Sequence, residues 1–152
     1  MSKEQNTTPQ FQIVAMYLKD CSLEAPLPIS SYKDKKWQPA VNVDMKSNFS
    51  KLEDKIYEVV LAASLKVVLE DKTVFIVEMQ QAGTFLIDGI DDQKLDHVLN
   101  AYCPSIIFPY LRQNVSDLIT RGGFPPLYLS PIDFEAQYIA KKQQEMKEKE
   151  GK

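Results

Sequence analysis

Residues 56–81, IYEVVLAASLKVVLEDKTVFIVEMQQ, decide the fold of this 152-residue chain. Along the first half every second side chain is apolar, and the polar residues Glu70, Asp71 and Lys72 separate it from a second apolar segment. Two such segments joined by a short polar turn are typical of a β-hairpin. The stretch therefore predicts two antiparallel strands that share one buried face. On the first strand this face comprises Tyr57, Val59, Leu61, Ala63, Leu65, Val67 and Leu69.

Two further strands are predicted on the N-terminal side of this hairpin. Residues 11–18, FQIVAMYL, are apolar in both directions, which predicts a strand with little solvent exposure whose edge needs a partner. Residues 41–46 alternate apolar and polar side chains, the pattern of a half-buried strand. Residues 21–37 lie between these strands, and their prolines predict a long ordered loop. Four strands without an intervening helix indicate an antiparallel sheet.

A long helix is predicted to follow the strands and to end within residues 101–131, AYCPSIIFPYLRQNVSDLITRGGFPPLYLSP. The Gly122-Gly123 pair marks its end, because glycine suits the left-handed cap of a helix. At ~100° per residue the apolar side chains fall on two opposite sides. One side could cover the sheet. The other needs a second protein surface, unless Pro104 and Pro109 kink the helix and re-aim it, and we favour burial in an oligomer.

A second helix is predicted to begin near residues 130–133 and to lead into a polar tail. The tail at residues 141–152, KKQQEMKEKEGK, holds five Lys and three Glu, so it carries +2. We expect it to be disordered or a frayed extension of the helix. Residues 1–9 are polar and predict a flexible N-terminus. The chain thus has one α+β domain, at residues 10–140.

Composition narrows the class of protein. A net charge of −3 and a pI near 5.2 argue against a partner that is nucleic acid or an anionic membrane. The N-terminus lacks the apolar core of a signal peptide, and no apolar run approaches membrane-spanning length, so we expect a cytoplasmic protein that does not insert into membranes. In that compartment Cys21 and Cys103 would be reduced, and we expect both to be small buried hydrophobes.

Residues that could carry catalysis or bind a cofactor are missing from the sequence pattern. His97 lies six residues before Cys103, so on one regular helix the two side chains point ~120° apart and do not form a dyad. We expect His97 to have a polar partner instead. Two thiols cannot form a tetrahedral metal site alone, and no glycine-rich phosphate loop exists. The sequence therefore predicts a binding protein that needs no metal or other cofactor, rather than an enzyme.

Several blocks of sequence then identify a family. The chain closely resembles SecB, the bacterial protein-export chaperone, over roughly residues 10–140. The resemblance rests on KDCSLEAP at 19–26, WQPAVNVD at 37–44, YEVVL at 57–61, EMQQAGTF at 78–85, AYCPSIIFPYLR at 101–112 and RGGFPPLYLSPIDF at 121–134, which occur in the family's order.

The resemblance implies a four-stranded antiparallel sheet with a long helix and a C-terminal helix, assembled as a dimer of dimers. In this homotetramer the first strands pair across the dimer and the long helices pack between dimers. We expect five residues at that tetramer interface: Tyr102, Ile106, Phe108, Leu111 and Val115. The resemblance also implies an ATP-independent chaperone that holds precursor proteins unfolded and delivers them to the SecA motor.

A client groove between the 21–37 loop and the second helix is implied by the same resemblance. The loop wall would comprise Leu27, Tyr32 and Trp37. Phe134 and Tyr138 would lie opposite, and Phe124 and Tyr128 are further candidates. On composition alone, these aromatic residues would instead be core packing.

Docking of the SecA motor is implied on a carboxylate-bearing face of the sheet. The matching positions here are Asp20, Glu24, Ile76 and Glu78. Without the resemblance these residues would indicate an ordinary solvated sheet face. The tail departs from the family pattern, because a charge of +2 does not favour the contact that the family's last residues make with a basic segment of the motor.

Two other functions remain open from the sequence. One is a SecB-like chaperone dedicated to a single client, such as the antitoxin of a toxin–antitoxin pair; the three acidic docking positions favour the export role over it. The other is a small-molecule-binding or enzymatic α+β domain, which would need a convergent set of polar residues that the sequence lacks.

Overall fold

The structure, a computed structural model, describes residues 8–151, so most of the predicted flexible N-terminus lies outside the described residues. Four strands come first and three helices follow. A 3₁₀ turn at Ile29–Tyr32 interrupts the first connection, and a π-helical turn at Val98–Tyr102 joins the first two helices. The elements are β1 (Gln10–Glu24), β2 (Ala40–Glu53), β3 (Ile56–Leu69), β4 (Lys72–Asp88), α1 (Asp92–His97), α2 (Cys103–Arg121) and α3 (Phe134–Glu150).

The four strands form one antiparallel sheet in the order β1-β4-β3-β2. The predicted hairpin is confirmed, since Leu69 pairs with Lys72 across a turn of two residues. Those residues, Glu70 and Asp71, have φ values of 50° and 65°, as the tight type I′ hairpin turn requires. The α+β fold with a four-stranded antiparallel sheet, a long helix and a C-terminal helix is therefore confirmed.

One face of β3 and β4 forms the core, and α2 covers it. All seven residues of the predicted apolar face of β3 are buried. From α2, Ile107, Leu111, Val115 and Ile119 reach this face with no exposed surface. Strand β4 continues seven residues beyond the predicted apolar segment, which ended at residue 81. The prediction stopped there because the Ala-Gly-Thr sequence at 82–84 interrupts the alternation of apolar and polar side chains. Gly83 is required there, since a Cβ would lie 2.8 Å from the ring of Phe85.

The two edge strands are much more exposed than the sequence analysis expected. Four apolar side chains of β1 are between 37% and 54% exposed: Phe11, Ile13, Val14 and Leu18. The prediction of a strand with little solvent exposure is therefore wrong for the single chain. Val43 on β2 is 47% exposed. The cause is coverage, because α2 packs mainly on β4 and β3 and leaves the outer strands open. The free edge of β1 therefore still lacks the partner that its apolar side chains need.

The long helical segment is continuous from Asp92 through two prolines to Arg121. Cys103 donates its backbone N–H to the carbonyl of Val98, five residues earlier, which is a π-helical hydrogen bond. The next residue is Pro104, which has no N–H to donate. Pro104 and Pro109 do not turn the second apolar side of the helix towards the core. Tyr102 and Tyr110 on that side remain 49% and 50% exposed.

Asp133 caps the N-terminus of helix α3, and its side chain accepts a hydrogen bond from the backbone N–H of Ala136 at 2.9 Å. The helix continues to Glu150, so the structure has the helical extension rather than a disordered tail at 141–150. Glutamine, glutamate and lysine are good helix formers, which explains the extension despite its polarity.

The two cysteines differ, and the expectation that both are buried is wrong for Cys21. Cys21 is exposed because it lies on the edge strand β1. Cys103 is fully buried, and this burial raises the pKa of its thiol to about 12.

Glu58 ties β1 to β3 on the sheet face away from the helices. Its carboxylate accepts a bond from the Lys19 ammonium at 2.7 Å and a second bond from the Tyr17 hydroxyl, which also lies 3.0 Å from the hydroxyl of Thr84. The Lys19 bond, followed by the Tyr17 bond, holds the pKa of Glu58 below its ordinary value. Burial, followed by the bond to Glu58, raises the pKa of Tyr17.

We predict that Glu58→Gln lowers the free energy of unfolding by about 1 kcal/mol at neutral pH. Because the folded-state pKa of Glu58 is lowered, its contribution is complete above the unfolded pKa of about 4.3 and is lost as the pH falls through the folded value. Urea unfolding should therefore show a difference between wild type and variant that shrinks below pH ~4. Asp54→Asn removes an exposed ion pair with Lys51 (3.9 Å) and serves as the control; an equal loss in both variants would contradict the special role of Glu58.

Candidate functional site

An aromatic cavity lies where the loop after β1 meets the end of α2, and we call it the Trp37 cavity. Its volume is ≈ 330 Å³. Trp37 stacks on Phe124 with ring centroids 6.0 Å apart, and Tyr32 meets both rings edge-on. The ring centroid of Phe124 in turn lies 4.8 Å from that of Phe75 in the core. The lining comprises Ile29, Ser30, Tyr32, Lys33, Lys35, Trp37, Gly123, Phe124 and Pro125.

Gly123 allows the loop to close on the helix at this place. Its φ of +89° favours glycine, and a Cβ there would lie 2.2 Å from Cδ1 of Ile29. The 3₁₀ turn that carries Ile29 follows Pro28, whose fixed φ helps to define the approach of the loop. Thus the glycine pair ends the helix, as predicted, and also shapes the cavity.

A second cavity of ≈ 420 Å³ lies between β2 and α3, and we call it the α3 cavity. Its apolar part contains Phe134, which meets Phe108 edge-on at 5.8 Å and is anchored in the core. Its rim is polar and charged. The lining comprises Met45, Lys46, Ser47, Phe49, Leu61, Asp96, Asn100, Ile132, Phe134, Gln137, Tyr138, Lys141, Lys142 and Glu145.

Helix α3 is docked by polar contacts with α1. Asp96 accepts a hydrogen bond from the Tyr138 hydroxyl at 2.6 Å and pairs with Lys142 at 3.0 Å. The Tyr138 bond first, and then Lys142, hold the pKa of Asp96 below its ordinary value, and the same bond raises the pKa of Tyr138. His97 has the polar partner that the sequence analysis expected, because its Nε2 lies 2.5 Å from a carboxylate oxygen of Glu135.

The structure brings the predicted groove residues together in two sets rather than one. Tyr32, Trp37 and Phe124 share the Trp37 cavity, whereas Phe134 and Tyr138 line the α3 cavity. The loop and the helix therefore do not face each other across a single cavity. Leu27 is half-buried and Tyr128 is 71% exposed, and neither lines either cavity.

The core interpretation applies to part of this aromatic set, and the binding interpretation stays a prediction. Phe124 and Phe134 are only 5% and 7% exposed, so they are core residues whose remaining surface contributes to a cavity wall. Trp37 and Tyr32 are half-buried and pack against the core from outside. Ile29 and Pro125 also line the Trp37 cavity but were not predicted, although they follow Leu27 by two residues and Phe124 by one.

The four predicted docking residues lie together on the sheet face opposite to α2. Strand register places Glu24 opposite Ile76 and Ser22 opposite Glu78, so the side chain of Glu78 lies diagonally between those of Asp20 and Glu24. The Ser64 hydroxyl donates to Glu78 at 2.9 Å.

Asp44 is an acidic neighbour that the sequence analysis missed. It pairs with Ser64 across β2 and β3, and it lines the same shallow cavity of ≈ 200 Å³ as Asp20 and Glu78. The alternation of residues 41–46 could have found it, since that pattern puts Asp44 on the polar side of its strand. We call Asp20, Glu24, Asp44 and Glu78 the acidic face.

The predicted tetramer interface needs a correction. Phe108, Leu111 and Val115 are 5%, 0% and 0% exposed because they pack against the chain's own sheet, so they cannot form a surface for a partner. Tyr102 and Ile106 lie on the other side of the helix and remain accessible. The predicted set combined residues from both sides of one helix. The ring of Tyr102 also packs edge-on against that of Phe11 of β1, with centroids 5.0 Å apart. This contact makes the exposed surfaces of β1 and of the long helical segment continuous.

Neither a metal centre nor a membrane helix emerges from residues 8–151. Within this range no three His, Cys, Asp or Glu side chains are grouped so that they could hold a metal ion. The helices in the same range are too short or too polar to cross a bilayer.

Comparisons with known proteins agree with this fold. A family model described as "Preprotein translocase subunit SecB" matches residues 4–145. The "Protein-export protein SecB" of Acinetobacter baylyi is 43% identical over 140 residues, which cover 92% of this chain and 91% of that protein. A SecB-like chaperone of Mycobacterium tuberculosis, solved in complex with a ChAD peptide from an antitoxin, matches with a TM-score of 0.63 at 18% identity, covering 80% of this chain and 87% of that one.

We predict that Tyr138→Phe weakens the docking of α3, because the hydroxyl that donates to Asp96 is lost. Amide hydrogen exchange within residues 134–150 should become about fivefold faster, which corresponds to about 1 kcal/mol. Tyr128→Phe removes an equivalent hydroxyl from an exposed tyrosine and should leave these rates unchanged. Unchanged exchange in Tyr138→Phe would mean that the apolar contact of Phe134 alone holds the helix.

Proposed function

This chain belongs to the SecB family, and we propose that it is an ATP-independent chaperone that holds precursor proteins unfolded and delivers them to the SecA motor. A role in protein export is supported by the 43% identical protein-export relative. We further propose that it acts in the cytoplasm. SecB-family chaperones are not enzymes, and Asp96, Lys142 and Glu145 at the α3 cavity are engaged with one another.

The single observation that carries the chaperone proposal is the pair of cavities at Trp37 and under α3, each of which has aromatic and aliphatic side chains in its wall. A chaperone for many unfolded chains needs apolar contact area that does not demand one sequence. Burial stabilises by about 25 cal/mol per Å², so each cavity supplies a weak site for one or two side chains. Several weak sites that engage one long chain raise the total affinity through avidity.

We propose that four chains assemble as a dimer of dimers. The apolar, half-exposed edge of β1 supports pairing with a second β1 strand. Tyr102, Ile106 and Tyr110 on the open side of α2 support helix packing between dimers. Avidity then rises further, because a tetramer would offer eight cavities to one wrapping client.

We propose that SecA docks on the acidic face. Four carboxylates lie near Ile76 on one open sheet face and would steer a basic partner surface towards it. Lys66, opposite Ile76, and Lys46, beside Asp44, share this face and reduce its net negative charge. Docking there would leave the Trp37 cavity free, since that cavity lies on the helix side of the sheet, whereas the α3 cavity shares Lys46 with the acidic side.

The dedicated antitoxin chaperone is the weaker alternative. The SecB-like chaperone of Mycobacterium tuberculosis was solved with an antitoxin peptide, but at 18% identity the likeness concerns the fold and says nothing about clients. The acidic face, with all three predicted carboxylates side by side, favours delivery to the export motor.

We predict that this protein retards the refolding of a slow-folding precursor without nucleotide, and that Trp37→Ala lowers the affinity for that precursor about tenfold, because it removes the largest wall of the Trp37 cavity. The comparison is made by titrating the chaperone into the refolding reaction.

Two controls keep this experiment interpretable. Met146→Ala removes an exposed apolar side chain outside both cavities and should not change client affinity. Light scattering should give a mass near four chains for wild type and both variants. Wild-type affinity in a Trp37→Ala tetramer would remove Trp37 from the client site, and a stable monomer would overturn the proposed assembly.

We predict that Glu78→Lys weakens SecA binding about tenfold or more at low salt and leaves client binding unchanged, because it reverses the charge at the centre of the acidic face. The loss should diminish at high ionic strength. Glu148→Lys makes the same charge change near the end of α3 and serves as the control in a binding titration against SecA. Equal SecA affinity for wild type and Glu78→Lys would locate the docking surface elsewhere.

A further inference from the structure

An irregularity in β1 lies directly beside the acidic face. Leu18 of β1 pairs with Gln81 of β4. The next pair is Asp20 with Gln80, so Lys19 is one extra residue in the ladder, which is a β-bulge. Lys19 and Asp20 consequently lie on the same sheet face, although neighbouring residues of a regular strand point to opposite faces.

The bulge determines which side chains of β1 reach the acidic face. A shift of one residue turns every later side chain of a strand to the other face. Without the extra residue, Asp20 would lie opposite Met79, on the buried face of β4, and Glu24 would follow on the same side. With the extra residue, Asp20 and Glu24 lie on the same face as Glu78. Leu23 then packs against the core instead.

Glu58 of β3 holds the bulged residue in place. The Lys19 ammonium donates to one of its carboxylate oxygens at 2.7 Å, and the Tyr17 hydroxyl donates to the other oxygen. Tyr17 and Lys19 lie on either side of Leu18, so Glu58 contacts the strand at two points where its register changes. The side chain of Glu58 is only 13% exposed, and such limited solvation strengthens charge-assisted hydrogen bonds.

The same contact keeps the Lys19 ammonium away from the acidic face. Two shallow depressions adjoin on this side of the sheet and share Ala62 and Gln80. Lys19 lines one depression and Asp20 lines the other. A free ammonium there would lie close to Asp20 and reduce the attraction of that carboxylate for a basic partner. Bound to Glu58, the ammonium is compensated within the chain.

We infer that Glu58 is a positioning residue for the motor-docking surface. By holding Lys19 at the bulge, it presents Asp20 beside Glu78. The inference rests on the proposed docking of SecA and names a residue outside the acidic face on which that docking depends. Its effect falls on Asp20, because an unbroken ladder from Asp20 to Glu24 holds the strand after the bulge.

A double-mutant cycle on SecA affinity at low salt tests this inference. Glu58→Gln keeps the shape of the side chain but removes the ion pair with Lys19, and we expect it to weaken SecA binding about threefold. In an Asp20→Asn background the carboxylate that Glu58 positions is already gone. There, Glu58→Gln should change SecA affinity by less than about 1.5-fold.

A charge control and a second readout accompany the cycle. Asp54→Asn also removes one negative charge, at the β2–β3 turn, and should leave SecA affinity as in wild type. Amide hydrogen exchange within residues 17–20 should become faster in Glu58→Gln and stay unchanged in Asp54→Asn, because only the first variant loosens the bulge.

Equal losses from Glu58→Gln with and without the Asp20 carboxylate would overturn the inference, because Glu58 would then contact the motor itself. Wild-type SecA affinity in Glu58→Gln would also overturn it. A loss in Asp54→Asn as large as that in Glu58→Gln would do the same, since net charge would be the cause. Wild-type affinity in Asp20→Asn is a different failure, because it would overturn the proposed docking on the acidic face.

Discussion

The limited reach of α2 across the sheet is the constraint on which the rest of the structure depends. One helix covers the face of β3 and β4 and leaves the outer strands and its own far side without a cover. The apolar side chains on that open surface, from Phe11 on β1 to Tyr110 on α2, are too many for a stable monomer surface to expose without consequence. Within residues 8–151 the chain has no further helix or strand with which to bury them. The proposed assembly would therefore complete this fold physically rather than add to it.

The same helix also determines where the proposed client cavity at Trp37 lies. At its end, Gly123 turns the backbone and Phe124 links the core ring of Phe75 to Trp37 outside. The core thus continues into a cavity wall without a boundary between packing and binding residues. A rigid wall costs little conformational entropy when a client side chain enters, since its aromatic rings are already ordered by their contacts. Weak binding at a low entropic cost would suit the proposed chaperone, which must later release its client.

How far the sequence predicted the structure follows from which interactions are local. The β3–β4 hairpin and its buried face follow from period-two alternation and a two-residue turn, and the predicted face was fully buried. The exposure of Cys21 and the burial of Leu111 depend on which strands α2 covers and on a π-helical turn, neither of which a regular periodicity contains. Likewise, the structure has two cavities where one groove was predicted. The reason is that α3 docks through the hydrogen bond between Tyr138 and Asp96, which lie 42 residues apart in sequence.

The two proposed surfaces lie on opposite faces of the sheet. Carboxylates such as Glu78 lie on the face away from α2, whereas the Trp37 cavity is built on Phe124 and Phe75 at the covered face. A motor docked on the carboxylates would therefore leave the Trp37 cavity accessible to a client. Attraction between exposed charges is weak, so the proposed docking would not hold the motor for long, and a chaperone of the proposed kind, which uses no ATP, must be able to let go of its partners.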